Sequence, residues 1–149
     1  MGKQVKSKHP SVTEVQTSRP LELLYIDLMG PTKVQILGGK KYILVVVDDF
    51  TRYTWVILLR DKAEASEKMI HLCKKLQVEK GTVIARIRSD CGREFENTKL
   101  ATFCNEQGTH QEFSSPNTPQ QNGIVERKNR VVQEIARVML HNKKMPKSF

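Results

Sequence analysis

Residues 40–59 read KKYILVVVDDFTRYTWVILL. Two apolar runs rich in β-branched residues, Lys40 to Val47 and Tyr53 to Leu59, flank a polar turn from Asp48 to Arg52. Such residues fit a pleated, half-buried surface, and a short polar break between two such runs reads as an antiparallel hairpin. Just upstream, Leu21 to Leu28 reads as a further strand, closed by Gly30-Pro31. Downstream the period changes. Asp61-Lys62-Ala63-Glu64 has the form of a capping box with Asp in the Ser/Thr role. Ala65, Met69, Leu72, Cys73 and Leu76 then recur at helical spacing until Gly81.

Thr82 to Arg88 alternates like a strand. Asn97 to Gln107 predicts a short helix with Leu100, Phe103 and Cys104 inward, and His110 to Phe113 a last short strand. The loop SSPNTPQQNG follows, then a final helix from about Gly123 to Asn142. A hairpin first and crossovers later imply an α/β fold, a mixed sheet with helices on its faces.

A length of 149 residues suits one domain with a real core. Met1 to Arg19 is polar and basic and reads as a flexible lead-in, so the folded part is expected to begin at Pro20. The longest apolar run, Tyr42 to Val47, is too short to span a bilayer, and MGKQVKSKHP lacks the apolar core of a secretory signal. The net charge of +9 favours a polyanionic partner. Part of that excess is concentrated from Gly123 to Phe149, where seven Lys/Arg face two Glu. Cys73, Cys91 and Cys104 show no metal-binding spacing and suit a reducing compartment; Cys73 and Cys104 fall at apolar helix positions.

Three carboxylates stand out. Asp27 interrupts the apolar strand LELLYIDLMGP (21–31), where Asp is disfavoured and a buried carboxylate needs a hydrogen bond or a metal. Asp90 follows a strand in IARIRSDCGREF (84–95), a position suited either to a turn or to a site at a strand's carboxyl end. Glu126 lies in SPNTPQQNGIVERKNR (115–130), opposite the stripe formed by Ile124, Val131, Ile135 and Val138. By pattern alone it reads as an ordinary glutamate in a helix's first turn. All three are oxygen donors with no thiolate or imidazole ligand pattern around them, which selects Mg²⁺ or Mn²⁺ over zinc. Asp48 and Asp49 also form a pair; Asp49 reads as a turn residue.

These words together resemble the catalytic core of copia-type retrotransposon integrases. RSD with a following glycine and REF is similar to the family's second-aspartate motif, SPNTPQQNGIVERKNR to its glutamate motif, and KYILVVVDDFTRYTWV to its second and third strands. The resemblance runs from about Gly2 to Phe149, and Arg93 points to plant members. It implies a ribonuclease H-like fold with a five-stranded sheet, strands 1–3 antiparallel and 4–5 parallel. It also implies a polynucleotidyl transferase that processes the 3′ ends of element DNA and joins them to target DNA, with no small-molecule cofactor.

By the same resemblance, two Mg²⁺ (or Mn²⁺) ions would be held by Asp27, Asp90 and Glu126, with Asp27 shared between them. DNA would be contacted by Gln121, Asn122, Lys128, Arg130 and Arg137. The chain would act as a homo-oligomer, in the nucleus or a cytoplasmic virus-like particle. There are departures. Cys91 replaces the usual Asn after the second aspartate, and GKQVKSKH is similar to the trailing edge of a zinc-binding module whose ligands are not in this chain. Family members continue past KKMPKSF with a further helix, so the expected core lacks its last one. The alternative is a non-catalytic nucleic-acid-binding remnant.

Overall fold

The computed structural model describes residues 16–32, 37–89, 95–96, 98–113, 126–127, 129–131 and 133–134. Five strands form one sheet: β1 (Leu23–Met29), β2 (Tyr42–Asp48), β3 (Thr54–Leu59), β4 (Arg86–Ser89) and β5 (His110–Phe113). Their order across the sheet is β3-β2-β1-β4-β5. The pairs β1–β2 and β2–β3 are antiparallel; β1–β4 and β4–β5 are parallel. This is the mixed sheet expected from the sequence. β5 and the end of β3 coincide with the sequence reading; the other strand limits differ by one to four residues, most at β4, which begins at Arg86.

The central strand explains the arrangement. β1 carries apolar residues on both faces, as a strand paired on both edges and covered on both sides should. Leu24 and Ile26 join a core with α1 (Ala65–Lys80) and α2 (Lys99–Gln107), through Met69, Cys73, Leu76, Leu100 and Phe103. Leu23 and Tyr25 face the other way, into a smaller cluster with Ile43, Val45, Val47, Val56 and Val131. Each fully buried Leu or Ile contributes about 1.5–3 kcal/mol over its exposed state. Two cores therefore clamp one strand from both faces.

The helix ends follow local rules. Asp61 caps the 3-10 turn Lys62–Glu64 that leads into α1, its Oδ1 accepting the Ala63 N–H at 3.1 Å. Gly81 and Gly108 end α1 and α2 at φ 64° and 78°, the left-handed region where glycine has no steric penalty. Cys73 and Cys104 are buried, as their helical positions suggested; burial pushes the Cys73 thiol up to about 12 and the Cys104 thiol to about 11.

Asp48 and Asp49 serve the fold. Both are buried. Asp48 Oδ2 accepts the Leu21 N–H at 2.9 Å and its Oδ1 accepts the Phe50 N–H at 2.8 Å. Asp49 Oδ2 accepts from the Gln16 N–H and the Thr17 hydroxyl, and its Oδ1 lies 3.6 Å from Arg52 Nη1. The pair ties the approach to β1 against the β2–β3 turn. Asp48→Ala leaves the Leu21 N–H without its acceptor, so a loss of about 1–3 kcal/mol is expected in urea unfolding. An unchanged midpoint would refute this role.

Candidate metal and nucleic-acid site

Asp27 sits two residues before the end of β1. Side chains alternate across a strand. Tyr25 and Met29 belong to the smaller cluster, so Asp27 shares their face, beneath the helical segment that contains Val131. It is half-buried, and its Oδ2 is shielded from solvent. An apolar residue would sit there without the desolvation cost of a carboxylate.

The partner strand brings a second element to the same place. Ile26 is in register with Ser89, the last residue of β4. Asp90 is the next residue in the chain and lies outside the described residues. From the other side comes the last helical segment. Val131 is buried against β1, β2 and β3, while Glu126, Asn129, Arg130 and Gln133 are exposed; Ile124, Ile135 and Val138, the rest of the stripe read from the sequence, lie outside the described residues. Glu126 is thus on a helical stretch docked over the face that holds Asp27. Among the described residues, no group of three His, Cys, Asp or Glu is gathered for a metal. Gln121, Asn122, Lys128 and Arg137 also lie outside the described residues.

The donor set nonetheless fits a hard cation. Asp27 and Glu126 offer only oxygen, Cys73 and Cys104 are in the opposite core, and oxygen ligands suit Mg²⁺ or Mn²⁺. A cleft of about 540 Å³ opens on that opposite face, lined by Leu28, Asp61, Lys62, Phe95 and Lys99. Lys99 Nζ lies 3.2 Å from Glu67 Oε2, so part of the rim charge pairs internally, and the cleft does not include Asp27.

Two cations missed by the sequence reading, Arg127 and Arg52, lie near one another, and Arg130 is also near Arg127. Arg127 is partly buried, and burial, then the nearby charges of Arg130 and Arg52, lower its pKa. Arg52 comes from the β2–β3 turn, far from Arg127 in sequence, so nothing in residue spacing could pair them. Arg127 thus stands near Arg130 of its own segment and near Arg52 of the hairpin, whose charge is paired with Asp49.

The comparisons with known proteins agree with this architecture. The family model described as Integrase core domain matches residues 17–119. The chain is 36% identical over 129 residues to the retrovirus-related Pol polyprotein from transposon TNT 1-94 of Nicotiana tabacum, covering 87% of this chain and 10% of that protein. It is 30% identical to the corresponding polyprotein from transposon RE2 of Arabidopsis thaliana, over 93% of this chain and 9% of the relative. The Pro-Pol polyprotein of feline foamy virus is 33% identical over 85% of this chain and 10% of its own length. The chain therefore spans about a tenth of the length of these curated relatives.

Among solved structures, a simian T-cell lymphotropic virus intasome in complex with PP2A regulatory subunit B56 gamma matches with TM-score 0.62 and 18% identity, over 85% of this chain and 44% of that chain. The HTLV-2 integrase catalytic core domain in complex with magnesium, in its trimeric form, matches with TM-score 0.59 and 20% identity, over 85% and 77% of the two chains. At these identities the likeness concerns the ribonuclease H-like fold. The chain belongs to the integrase core domain family: it is a retroviral-type integrase catalytic core. Its nearest kind among the matches named here is the plant retrotransposon polyprotein.

Docking of the helical segment through Val131 can be tested. Val131→Asp puts a charge into an apolar cluster, and faster hydrogen exchange at residues 126–134 than in β1 and β2 is expected. Unchanged protection there would show that Val131 does not hold the segment.

Proposed function

We propose that this chain is the polynucleotidyl transferase core of a retrotransposon integrase, with Asp27, Asp90 and Glu126 as its metal-binding catalytic carboxylates. The observation that carries the reading is the placement of Asp27. It is a carboxylate in an otherwise apolar central strand, level with the end of β4 and on the face covered by the segment that contains Glu126. The substrate class is DNA: element ends to be processed at their 3′ termini, then target DNA to be joined to them.

The chain's own residues have separable tasks. Asp27 is fixed by β1, which is hydrogen-bonded on both edges. Asp90 follows the strand paired with it, and Glu126 projects from a helical turn anchored by Val131. Three oxygen donors from three separate elements can thereby share a cation site. Asp27, Asp90 and Glu126 would hold divalent cations, which would supply activation of the attacking oxygen and stabilisation of the leaving one. Arg130, with Arg127 near it, would hold the phosphate backbone next to the carboxylates. Lys128, Arg137, Gln121 and Asn122 are assigned the same role by motif.

Self-association belongs to the same reading, supported by the dimeric and trimeric forms of the HTLV-2 core and by the intasome. The place of action would be the nucleus or a cytoplasmic particle. No helix among the described residues is long and apolar enough to cross a membrane.

Two measurements test the proposal. Glu126→Gln should reduce Mn²⁺-dependent nicking and joining of an oligonucleotide duplex to background, with thermal unfolding unchanged; parental activity in that variant would sink the assignment. Arg130→Gln should weaken DNA binding across sequences and make the slope of log affinity against log salt shallower by about one. An unaltered slope would remove Arg130 from the interface.

A further inference from the structure

The last helical segment packs over β1, β2 and β3. On the same face, β4 and β5 carry a different kind of surface. Ile87 and Phe95 belong to the opposite core, and Gln111 Nε2 donates to the Phe95 carbonyl. By alternation Arg86, Arg88, His110 and Glu112 therefore lie on the Asp27 face.

One row of this surface is tightly organised. Tyr25, Arg88 and Glu112 are register partners across β1, β4 and β5. Arg88 Nε donates to Glu112 Oε1 at 2.8 Å, and Arg88 Nη2 lies 2.7 Å from the same oxygen. Arg88 Nη1 donates to the Tyr25 hydroxyl at 3.2 Å, and the guanidinium carbon is 5.5 Å from the centre of the Tyr25 ring. Arg86 Nη1 adds a longer contact to Glu112 Oε2, 3.7 Å, and Arg86 Nη2 reaches Glu22 at 3.8 Å. Arg88 and Glu112 are only 20% and 23% exposed, so this pair is less screened than a surface one.

The location of the row matters. Tyr25 is two residues before Asp27 in β1, and Arg88 is two residues before Asp90 in the chain. Two residues of strand advance about 6–7 Å. The row is thus too far back to ligate a cation held by Asp27. The β1–β4 register comprises four pairs, Leu23–Ile26 with Arg86–Ser89, and it ends one residue short of the carboxylate position. Parallel pairing is slightly the weaker kind. A side-chain lock across three strands at this point restrains how far the two strand ends can separate.

A purely structural tie is the competing explanation. Apolar residues of similar volume would hold a partly buried edge at least as well as an ion pair. A charged, directional network is better suited to fixing geometry.

We infer that the Tyr25–Arg88–Glu112 row sets the separation of β1 at Asp27 from the end of β4 at Ser89, making Arg88 a positioning residue for divalent-cation binding. This rests on the carboxylate site proposed above.

The test is Mn²⁺ binding to the purified 149-residue chain, read as loss of the free-ion paramagnetic resonance signal, with thermal unfolding alongside. Arg88→Gln should raise the Mn²⁺ concentration for half-saturation by roughly tenfold, the scale on which groups behind a metal's own ligands act. Glu112→Gln should shift it in the same direction, and Arg88→Lys should recover only part of the loss. If Arg88→Gln does not unfold cooperatively, Glu112→Gln gives the same readout. Parental Mn²⁺ affinity in the folded Arg88 and Glu112 variants, even with a lowered unfolding midpoint, would overturn the inference. Asp27→Asn separates the two readings. It should abolish binding; if it does while the Arg88 and Glu112 variants bind normally, only this inference fails. Parental binding in Asp27→Asn, or none in the parent, would overturn the proposed site and this inference together.

Discussion

The central strand β1 is the constraint on which the rest of the structure depends. It is paired antiparallel to β2 on one edge and parallel to β4 on the other, and it contributes to a core on each face. β2 is also paired on both edges and packed on both faces, but β1 is the strand that joins the antiparallel half of the sheet to the parallel half. Because β1 cannot shift by one residue without turning Leu24 and Ile26 out of one core and Leu23 and Tyr25 out of the other, its register is strongly specified. Asp27 inherits that rigidity. A carboxylate on such a strand is positioned by the whole sheet rather than by a loop.

The buried polar groups divide by task. Asp48 and Asp49 resemble Asp27 in charge, yet their oxygens accept hydrogen bonds from Leu21, Phe50, Gln16 and Thr17. They close the entry to β1 and the hairpin turn. Arg88 and Glu112 neutralise one another across β4 and β5, with Tyr25 as the third member. Arg127 and Arg130 present the opposite case, like charges crowded beside Arg52. Arg52 is offset by Asp49, whose Oδ1 lies 3.6 Å from its Nη1.

Much of the fold was legible in the chain. The β-branched runs at Lys40–Val47 and Tyr53–Leu59 gave the hairpin, because period and composition are local properties. Gly81 and Gly108 marked helix ends through a backbone conformation that few other residues adopt. The strand before Asp90 was read too long, since Thr82 to Ala85 alternate but lead into the strand without being part of it; pairing with β1 starts at Arg86, and a pairing limit is set by the partner. Glu126 was placed correctly on the outer side of its helical stripe, because opposition to Val131 is a matter of angle alone.

The sequence by itself determined the mixed α/β class, the core faces of the helices and the three carboxylates worth attention. Those follow from periodicity, from an Asp in an apolar run, and from motif words, all of which can be read along one dimension. Only the tertiary structure decided that Asp27 shares a face with Val131, that Asp48 and Asp49 accept bonds from the approach to β1, and that Tyr25, Arg88 and Glu112 form one row. Apart from the local Asp48–Phe50 bond, each of those facts joins residues 24 to more than 100 positions apart. Such contacts are set by strand register and by packing, which no local pattern encodes.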